Sequence, residues 1–269
     1  MRINTNINAM IATNQMTKNT ALAGSSMEKL STGLRITKAG DDAAGLAVSE
    51  KMRAQIRGME QAERNVQDGI SMVQTAEGAL EEAGNIAQRM RELSIQAGND
   101  TLNTEDRTKI KTELEQLQKE MTNISKETTF NGNALLDGTK AKFTIQAGAN
   151  SEVREIEMES LASTASSLAS VDVADVSKAQ AFTTKVDKAL EAINTGRSKL
   201  GAMQNRLEYT SSNLTTSTEN LSAAESRIRD VDVAKEMVKL SKLNILNQAS
   251  QAMVSQAKQQ PESVTQLLR

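Results

Sequence analysis

The sequence predicts a mainly α-helical protein: a long antiparallel helical coiled-coil bundle, or rod, with a small β-hairpin region at one end. Between Val186 and Val231, apolar residues recur every seven residues, which is typical of a helix that packs against other helices. Phe, Tyr and Trp make up only 1% of the chain, and its single proline is Pro261. Thin layers of uninterrupted helix are therefore favoured over a deep globular core.

The composition excludes several classes of protein. The chain has no Cys and no His, which removes disulfides, thiolate nucleophiles, the usual zinc ligands and a catalytic triad. The net charge is −2, from 32 basic and 34 acidic residues, and gives no reason to expect binding to nucleic acid or to a membrane. We therefore expect no enzyme activity, no catalytic or metal-binding residues and no cofactor.

The chain also lacks the apolar segments that direct proteins to membranes. No run of about 18 apolar residues occurs, and the opening residues MRINTNINAMIATNQ lack the apolar core of a secretory signal peptide. We expect a cytosolic protein or one exported by a route that reads no cleaved signal.

Three long helices are predicted from apolar spacing. A second helix is expected from about Ala43 to Ala97 and a third around residues 110–124, and their short connection favours antiparallel neighbours. The seven-residue stripe lies on a later helix and should pack against these two within one chain, so that Leu207 and Leu214 are buried. The stripe consists of Val186, Ile193, Leu200, Leu207, Leu214, Leu221 and Ile228.

Other segments interrupt the helices. In residues 37–42 (TKAGDD), Gly40 suits an unusual backbone angle, and we interpret the Asp pair as a helix cap rather than a metal site. Apolar and polar residues alternate around Ile145 and Ile156, which predicts a β-hairpin at about 140–160. Residues 160–180 are small and lack a clear period, so a linker is expected there.

Both ends of the chain carry weaker amphipathic helices. Two weak helices that pair only with each other bury little surface, so we expect their remaining surface to bind copies of the same protein. Pro261 should break or kink the second of them. The apolar residues assigned to self-assembly are Ile3, Ile7, Met10, Met237, Leu240, Leu243, Leu246, Met253, Leu267 and Leu268.

These patterns predict two domains. A terminal helical coiled-coil domain is expected from residues 1–42 and 233–269. A helical rod domain that contains the hairpin is expected from residues 43–180 and 181–232.

One surface position is ambiguous from the pattern alone. Arg89 and Leu93 lie one turn apart, off the apolar seam of the second helix, so Leu93 is expected to be exposed beside a charge. Glu113 neighbours Leu114 on the third helix without belonging to its stripe. The pattern alone favours incidental surface at these positions over a binding role.

Several segments resemble the terminal regions of the bacterial flagellins and occur in that family's order. The stretch GDDAAG at residues 40–45 is the most specific of the matching residues. The segments are MRINTNINAM at 1–10, LSTGLRITKAGDDAAGLAVSEKMRAQIRG at 30–58, QRMRELSIQAGN at 88–99, TTFNGNALLDG at 128–138 and SQAMVSQAKQQPESVTQLLR at 250–269.

The resemblance implies a structural subunit that polymerises into the flagellar filament for motility. Its terminal helices would form an inner core, and its longer helices and hairpin an outer layer. Flagellins typically carry a variable outer region in the middle of the chain, where this sequence has only residues 160–180. A short form with a thin filament surface is therefore implied.

The resemblance also implies partners and a location. They are further copies of the chain, an export chaperone at the C-terminal helix, and the filament cap and hook-junction proteins. Export through the flagellar secretion channel, without a cleaved signal, would place the protein in the extracellular flagellum. Similarity to flagellins sensed by the host receptor Toll-like receptor 5 places Arg89, Leu93 and Glu113 at the matching positions, on a face expected to be buried between subunits.

Two alternatives share the helical architecture. A hook-filament junction protein has related terminal patterns. A non-flagellar coiled-coil adaptor would instead form a closed oligomer of fixed size.

Overall fold

The computed structural model describes the backbone of residues 5–267 and the side chains of residues 5–259. It is mainly helical, which confirms the predicted class, and no helix in the described part is both long and apolar enough to span a membrane. In chain order, the elements are α1 (Ile7–Thr32), α2 (Ala43–Ala97), α3 (Thr104–Glu127), β1 (Thr129–Phe130), β2 (Asn133–Ala134), β3 (Lys142–Gln146), β4 (Val153–Glu157), α4 (Leu161–Ser167), α5 (Val176–Arg229) and α6 (Val233–Leu267).

The chain divides into two compact units. The terminal unit consists of Met1–Ala54 and Asn220–Arg269, and the central unit of Gln55–Glu219. Both boundaries lie inside long helices, α2 and α5, rather than in loops.

The core of the central unit is built on the seven-residue stripe of α5. The members of the stripe in this unit are all buried: Val186, Ile193, Leu200, Leu207 and Leu214. Helix α2 packs against them, since a Cβ added at Gly69 would lie 3.7 Å from Cδ1 of Leu207, and one at Gly84 would lie 3.8 Å from Cγ2 of Ile193. Leu207 and Leu214 are buried within a single chain, which confirms the prediction that the stripe packs inside the chain.

Two antiparallel hairpins interrupt the helices of the central unit. Strands β3 and β4 pair with Phe143 opposite Ile156, which confirms the predicted hairpin. The sequence pattern does not predict the shorter pair, β1 and β2. Asn131 and Gly132 both have positive φ, 49° and 77°, as a tight two-residue hairpin turn requires.

The expected linker at residues 160–180 is instead part of the core. The Ser160 side chain accepts a hydrogen bond from the backbone N–H of Ser163 and caps α4. Gln118 of α3 donates to the carbonyl of Ala165 at 3.1 Å, and Leu161 and Leu168 are buried. Seven residues give too few turns for a helical period to emerge from the sequence.

The terminal unit is built on an antiparallel pair of helices, α1 and α6. Asn6 donates to the carbonyl of Ala257 at 2.6 Å, and Thr20 lies beside Asn247. Gly33 ends α1 with φ of 72°, so the left-handed position lies there rather than at Gly40. Helix α6 continues through Pro261, so of the predicted break or kink there, the break does not occur.

The aspartate pair in the loop before α2 has a structural role. Oδ1 of Asp42 accepts from the backbone N–H of Gly45 at 2.8 Å, which confirms the predicted helix cap. Oδ2 of Asp41 accepts from the backbone N–H groups of Thr37 and Lys38 at 3.1 and 3.2 Å. These donors hold the loop closed.

We expect the terminal unit to lose stability in acid. Backbone N–H groups, chiefly that of Lys38, donate to the Asp41 carboxylate and hold its pKa below the usual 3.8. The backbone N–H of Lys235 lowers the pKa of Asp232 in the same way. Because these folded-state pKa values are depressed, the stabilisation is complete above about pH 4 and is lost as pH falls through the folded-state values. Circular dichroism at decreasing pH should show constant helicity down to about pH 5 and a loss below about pH 4.

Asp41→Asn provides the control for this acid effect. The amide does not titrate, so this variant should lose less helicity over the same acid range than the wild type. Identical acid profiles for the two proteins would show that Asp41 contributes nothing to the effect.

Candidate functional site

The residues assigned to self-assembly are mostly exposed in the single chain. The exposed ones are Ile7 (49%), Met10 (55%), Met237 (55%), Leu246 (39%) and Met253 (63%). Leu240 is half-buried and Leu243 is buried, so Leu243 helps to hold the terminal unit together. Ile3 and Leu268 lie outside the described residues, as does the side chain of Leu267.

Sequence reasoning missed several further apolar residues on the same helices. Those more than half exposed are Ile11, Leu22, Met27, Val233, Val238 and Ile245. The sequence does contain a pattern that indicates these residues: α1 and α6 carry apolar residues on more than one face, so one face can pair with the other helix while another stays uncovered. Exposed apolar surface of this extent is typical of a protein interaction surface.

A groove of about 610 Å³ lies between α1 and α6. Ile11, Gln15 and Asn19 of α1 line it, together with Leu246 and Met253 of α6. No charged side chain is among the lining residues. Such a groove suits an uncharged, partly apolar helix face.

The second predicted surface lies where α2 and α3 adjoin. Nη2 of Arg89 lies 3.0 Å from Oε1 of Glu113, and Nη1 lies 3.1 Å from Oε2 of Glu92. The hydrogen bonds that the Arg89 guanidinium donates to Glu113, and then to Glu92, raise the pKa of Arg89 above its usual value. About half of each of the Arg89 and Glu113 side chains is exposed, so the structure brings these two predicted residues together at the surface.

Leu93 does not join them there, and its predicted exposure is wrong. It is 2% exposed, whereas Ile95 two residues later is 54% exposed. The apolar seam of α2 faces α5, where Ser94 accepts a hydrogen bond from the Thr183 hydroxyl at 2.9 Å. Arg89, one turn before Leu93, contacts α3. A helix with two packing partners buries a wider stripe than a single seam predicts.

None of these surfaces offers a metal site. Among the described residues, no group of three or more His, Cys, Asp or Glu side chains could hold a metal ion.

Comparisons with known proteins cover both the terminal and the central parts of the chain. The family model for the bacterial flagellin N-terminal helical region matches residues 3–141, and that for the C-terminal helical region matches residues 183–268. Flagellin of Halalkalibacterium halodurans is 54% identical over 272 residues, and flagellin of Bacillus subtilis is 48% identical over 306. Each alignment covers 100% of both chains.

A further relative and two solved structures extend the comparison. The flagellar filament 33 kDa core protein of Treponema phagedenis is 45% identical, with 100% of both chains covered. The crystal structure of Bacillus cereus flagellin is 33% identical with a TM-score of 0.51, and the match covers 60% of this chain and 94% of that one.

A putative flagellar hook-associated protein of Vibrio parahaemolyticus is 12% identical with a TM-score of 0.60, and the match covers 71% of this chain and 100% of that one. At that identity the likeness concerns the fold alone. The full-length identity to the curated relatives and the two family models, which match most of the sequence, place the chain in one family: it belongs to the bacterial flagellins.

Proposed function

We propose that this chain polymerises through its terminal unit to build the flagellar filament for motility. The observation that supports this most is the exposed apolar surface of α1 and α6. Complete burial of one large apolar side chain contributes about 1.5–3 kcal/mol. Several such side chains can therefore drive association once copies are in contact.

The domain assignment and the location belong to the same proposal. Residues 1–42 and 233–269 would form the inner core of the filament, and the remainder an outer layer. The protein would be extracellular, after export through the flagellar secretion channel without a cleaved signal. Burial of the exposed apolar side chains of α1 and α6 against other copies gives a physical reason for the inner position.

Sedimentation of the purified chain under polymerising salt tests this function. The expected result is a pellet of open-ended filaments, visible by electron microscopy, above a critical concentration. A closed dimer or tetramer at all concentrations would instead support the non-flagellar adaptor. Short assemblies that need a preformed hook end would support the hook-filament junction protein.

The proposal includes further partners that would bind the exposed apolar surface of the terminal unit. An export chaperone that covers α6 would shield Met237, Val238 and Ile245, each more than half exposed, from premature polymerisation. The filament cap and hook-junction proteins would contact the same terminal unit at the two ends of the filament.

We also propose that Toll-like receptor 5 recognises the monomer at the Arg89 and Glu113 face. The exposed ion pair supplies a cation and an anion on two adjacent helices, which suits polar recognition by a partner. Leu93 would support this face from beneath, since it is buried. In the filament the same face would lie between subunits.

Arg89→Ala should weaken receptor binding about tenfold, because it removes one arm of this polar surface. Arg91→Ala is the matched control. Nε of Arg91 lies 2.6 Å from Oδ1 of Asp187 on α5, and the pair is as exposed as Arg89 and Glu113. Equal affinities of both variants and the wild type, measured by surface plasmon resonance on monomers, would remove Arg89 from the receptor site.

A further inference from the structure

The outer edge of strand β4 carries backbone groups that β3 does not use. In an antiparallel pair, residues whose backbone groups bond the neighbouring strand alternate with residues whose groups point away from it. The Met158 N–H donates to the Ala141 carbonyl at 3.0 Å. At the other end of the pair, the Ala147 N–H donates to the Glu152 carbonyl at 2.8 Å. With the register of the two strands, these bonds fix the alternation. The β4 residues whose N–H and C=O groups point away from β3 are therefore Val153, Glu155 and Glu157.

The two outer edges of this hairpin differ in what covers them. On the β3 side, the carbonyl of Gln146 points away from β4 and accepts from Nδ2 of Asn65 on α2 at 3.2 Å. On the β4 side, within the described part of the chain, the one hydrogen bond to an outward backbone group comes from the adjacent residue: Arg154 donates from its side chain to the Val153 carbonyl at 3.3 Å. A row of unpaired N–H and C=O groups is a template for a further strand.

A groove of about 480 Å³, the β4–α5 groove, lies between this edge and α5. The three outward residues of β4 line one side of it, and Ala202 and Met203 of α5 contribute apolar surface to the other. Its volume is in the range of sites that enclose a ligand. The groove therefore combines unpaired backbone groups with apolar surface beside them, as a site for an added strand requires.

The unpaired charges of the β4–α5 groove are basic. The two glutamates of the β4 edge both pair with Lys142 of β3, at 3.0 and 3.3 Å. Lys199 of α5 pairs with Glu159 at 3.2 Å. Arg154 and Arg206 also line the groove, and neither has a carboxylate partner in the described part of the chain. Two guanidinium groups are therefore available to a ligand that carries a carboxylate.

We propose that the β4–α5 groove binds an extended segment of another protein, which adds to β4 as a third strand and places a carboxylate beside Arg154 and Arg206. Main-chain hydrogen bonds to the β4 edge supply the affinity, and alternate side chains supply the specificity. On the side of the segment that faces α5, an acidic residue lies beside Arg154 and an apolar one beside Met203. On the opposite side, uncharged residues lie beside the glutamates of β4. This binding goes beyond the proposed polymerisation, since the partner is a different chain.

The charges of the β4 edge disfavour a second copy of this chain as the added strand. Two antiparallel β4 strands centred on Glu155 would bring this residue opposite its own copy. A shift of the pairing by two residues would bring Glu155 opposite Glu157, or Arg154 opposite its own copy. Like charges directly opposite each other destabilise a sheet. A segment with uncharged residues at these positions avoids the repulsion.

A short peptide tests the site on the monomer, in dilute solution without polymerising salt. The peptide TVTET, acetylated and amidated, places its valine beside Met203 and its glutamate beside Arg154 when it pairs antiparallel to β4. An NMR chemical-shift titration should show saturable binding. The charge-reversed peptide TVTKT should bind at least about tenfold more weakly. TVTET with N-methylated backbone amides should not bind, because it has lost its main-chain donors. Absence of TVTET binding, or equal binding of all three peptides, would overturn the inference.

Two substitutions at one position separate the backbone of β4 from its side chains. Glu155→Pro removes an N–H group that points into the groove, and proline is tolerated at such an edge position because the bonds to β3 remain. This variant should bind TVTET at least about tenfold more weakly. Glu155→Ala keeps the N–H group and should bind like the wild type. Equal affinities of the two variants would overturn the inference. Urea unfolding checks the fold of both, and if Glu155→Pro unfolds early, the N-methylated peptide decides.

The partner of the carboxylate is tested by Arg206→Gln, at an exposed position of α5. This variant should bind TVTET about tenfold more weakly, because a charge-assisted hydrogen bond is lost. Its affinity for the neutral peptide TVTQT should be unchanged. Arg64→Gln, the same substitution at an exposed position of α2, should bind both peptides like the wild type. If Arg206→Gln weakens both peptides equally, the proposed carboxylate contact is wrong.

Filament formation gives an independent measurement. If folded Glu155→Pro chains form no filaments and TVTET does not bind the wild type, the β4 edge pairs with a second copy, and the inference is overturned while the proposed function stands. If TVTET binds the wild-type monomer but wild-type chains form no filaments, the proposed function fails and the inference stands.

Discussion

Leu93→Ala should destabilise the central unit by about 2–4 kcal/mol, which is typical of truncating a buried leucine. Leu93 is 2% exposed and lies between the α2 surfaces that contact α3 and α5. The substitution removes the transfer free energy of the lost methyl groups and leaves a cavity. Urea unfolding followed by circular dichroism should show a lower midpoint with an unchanged slope.

Ile95→Ala provides a control two residues away on the same helix. Ile95 is 54% exposed, so its truncation should change the free energy of unfolding by less than about 0.5 kcal/mol. If the two variants unfold at the same urea concentration, Leu93 is not part of the core.

This difference affects how receptor experiments are interpreted. A loss of Toll-like receptor 5 binding in Leu93→Ala could follow from a weakened α2–α3 packing surface, without any contact between Leu93 and the receptor. Arg89→Ala and its control Arg91→Ala do not create a cavity, because both side chains are about half exposed. They therefore give the cleaner test of a receptor site on this face.

Long helices were the most predictable part of the fold. Apolar positions recur over so many turns in α2 and α5 that isolated exceptions do not hide the period. The expected bounds Ala43–Ala97 for the second helix agree with α2. Short elements offer no such repetition, so the sequence pattern predicts a linker where α4 lies and does not predict the β1–β2 pairing.

The candidate surfaces were less predictable because periodicity identifies apolar faces without showing what covers them. A single apolar seam predicts Leu93 at the surface, whereas α2 packs against both α3 and α5 and buries it. Leu243 and Met237 have the same kind of spacing, yet the first is buried and the second is 55% exposed. Asn19 is a polar residue in a helix and would normally be expected at the surface, whereas it is 2% exposed in the structure.

Met237→Lys should raise the critical concentration for filament formation at least about a hundredfold. Met237 is 55% exposed on α6, so the monomer can place a lysine there in water. If this face becomes buried between copies, the ammonium group loses its hydration and gains no partner, which costs several kcal/mol. Each 1.4 kcal/mol corresponds to a tenfold change in an equilibrium constant.

Met237→Leu is the matched control, because it keeps an apolar side chain of similar volume at the same position. Lysine, leucine and methionine have similar helix propensities, so neither substitution should change the helicity of the monomer. The leucine variant should form filaments at nearly the wild-type concentration, whereas the lysine variant should remain in the supernatant after sedimentation. If both variants assemble equally well, Met237 faces solvent in the filament, and the contacts between copies must be built from other faces of α1 and α6.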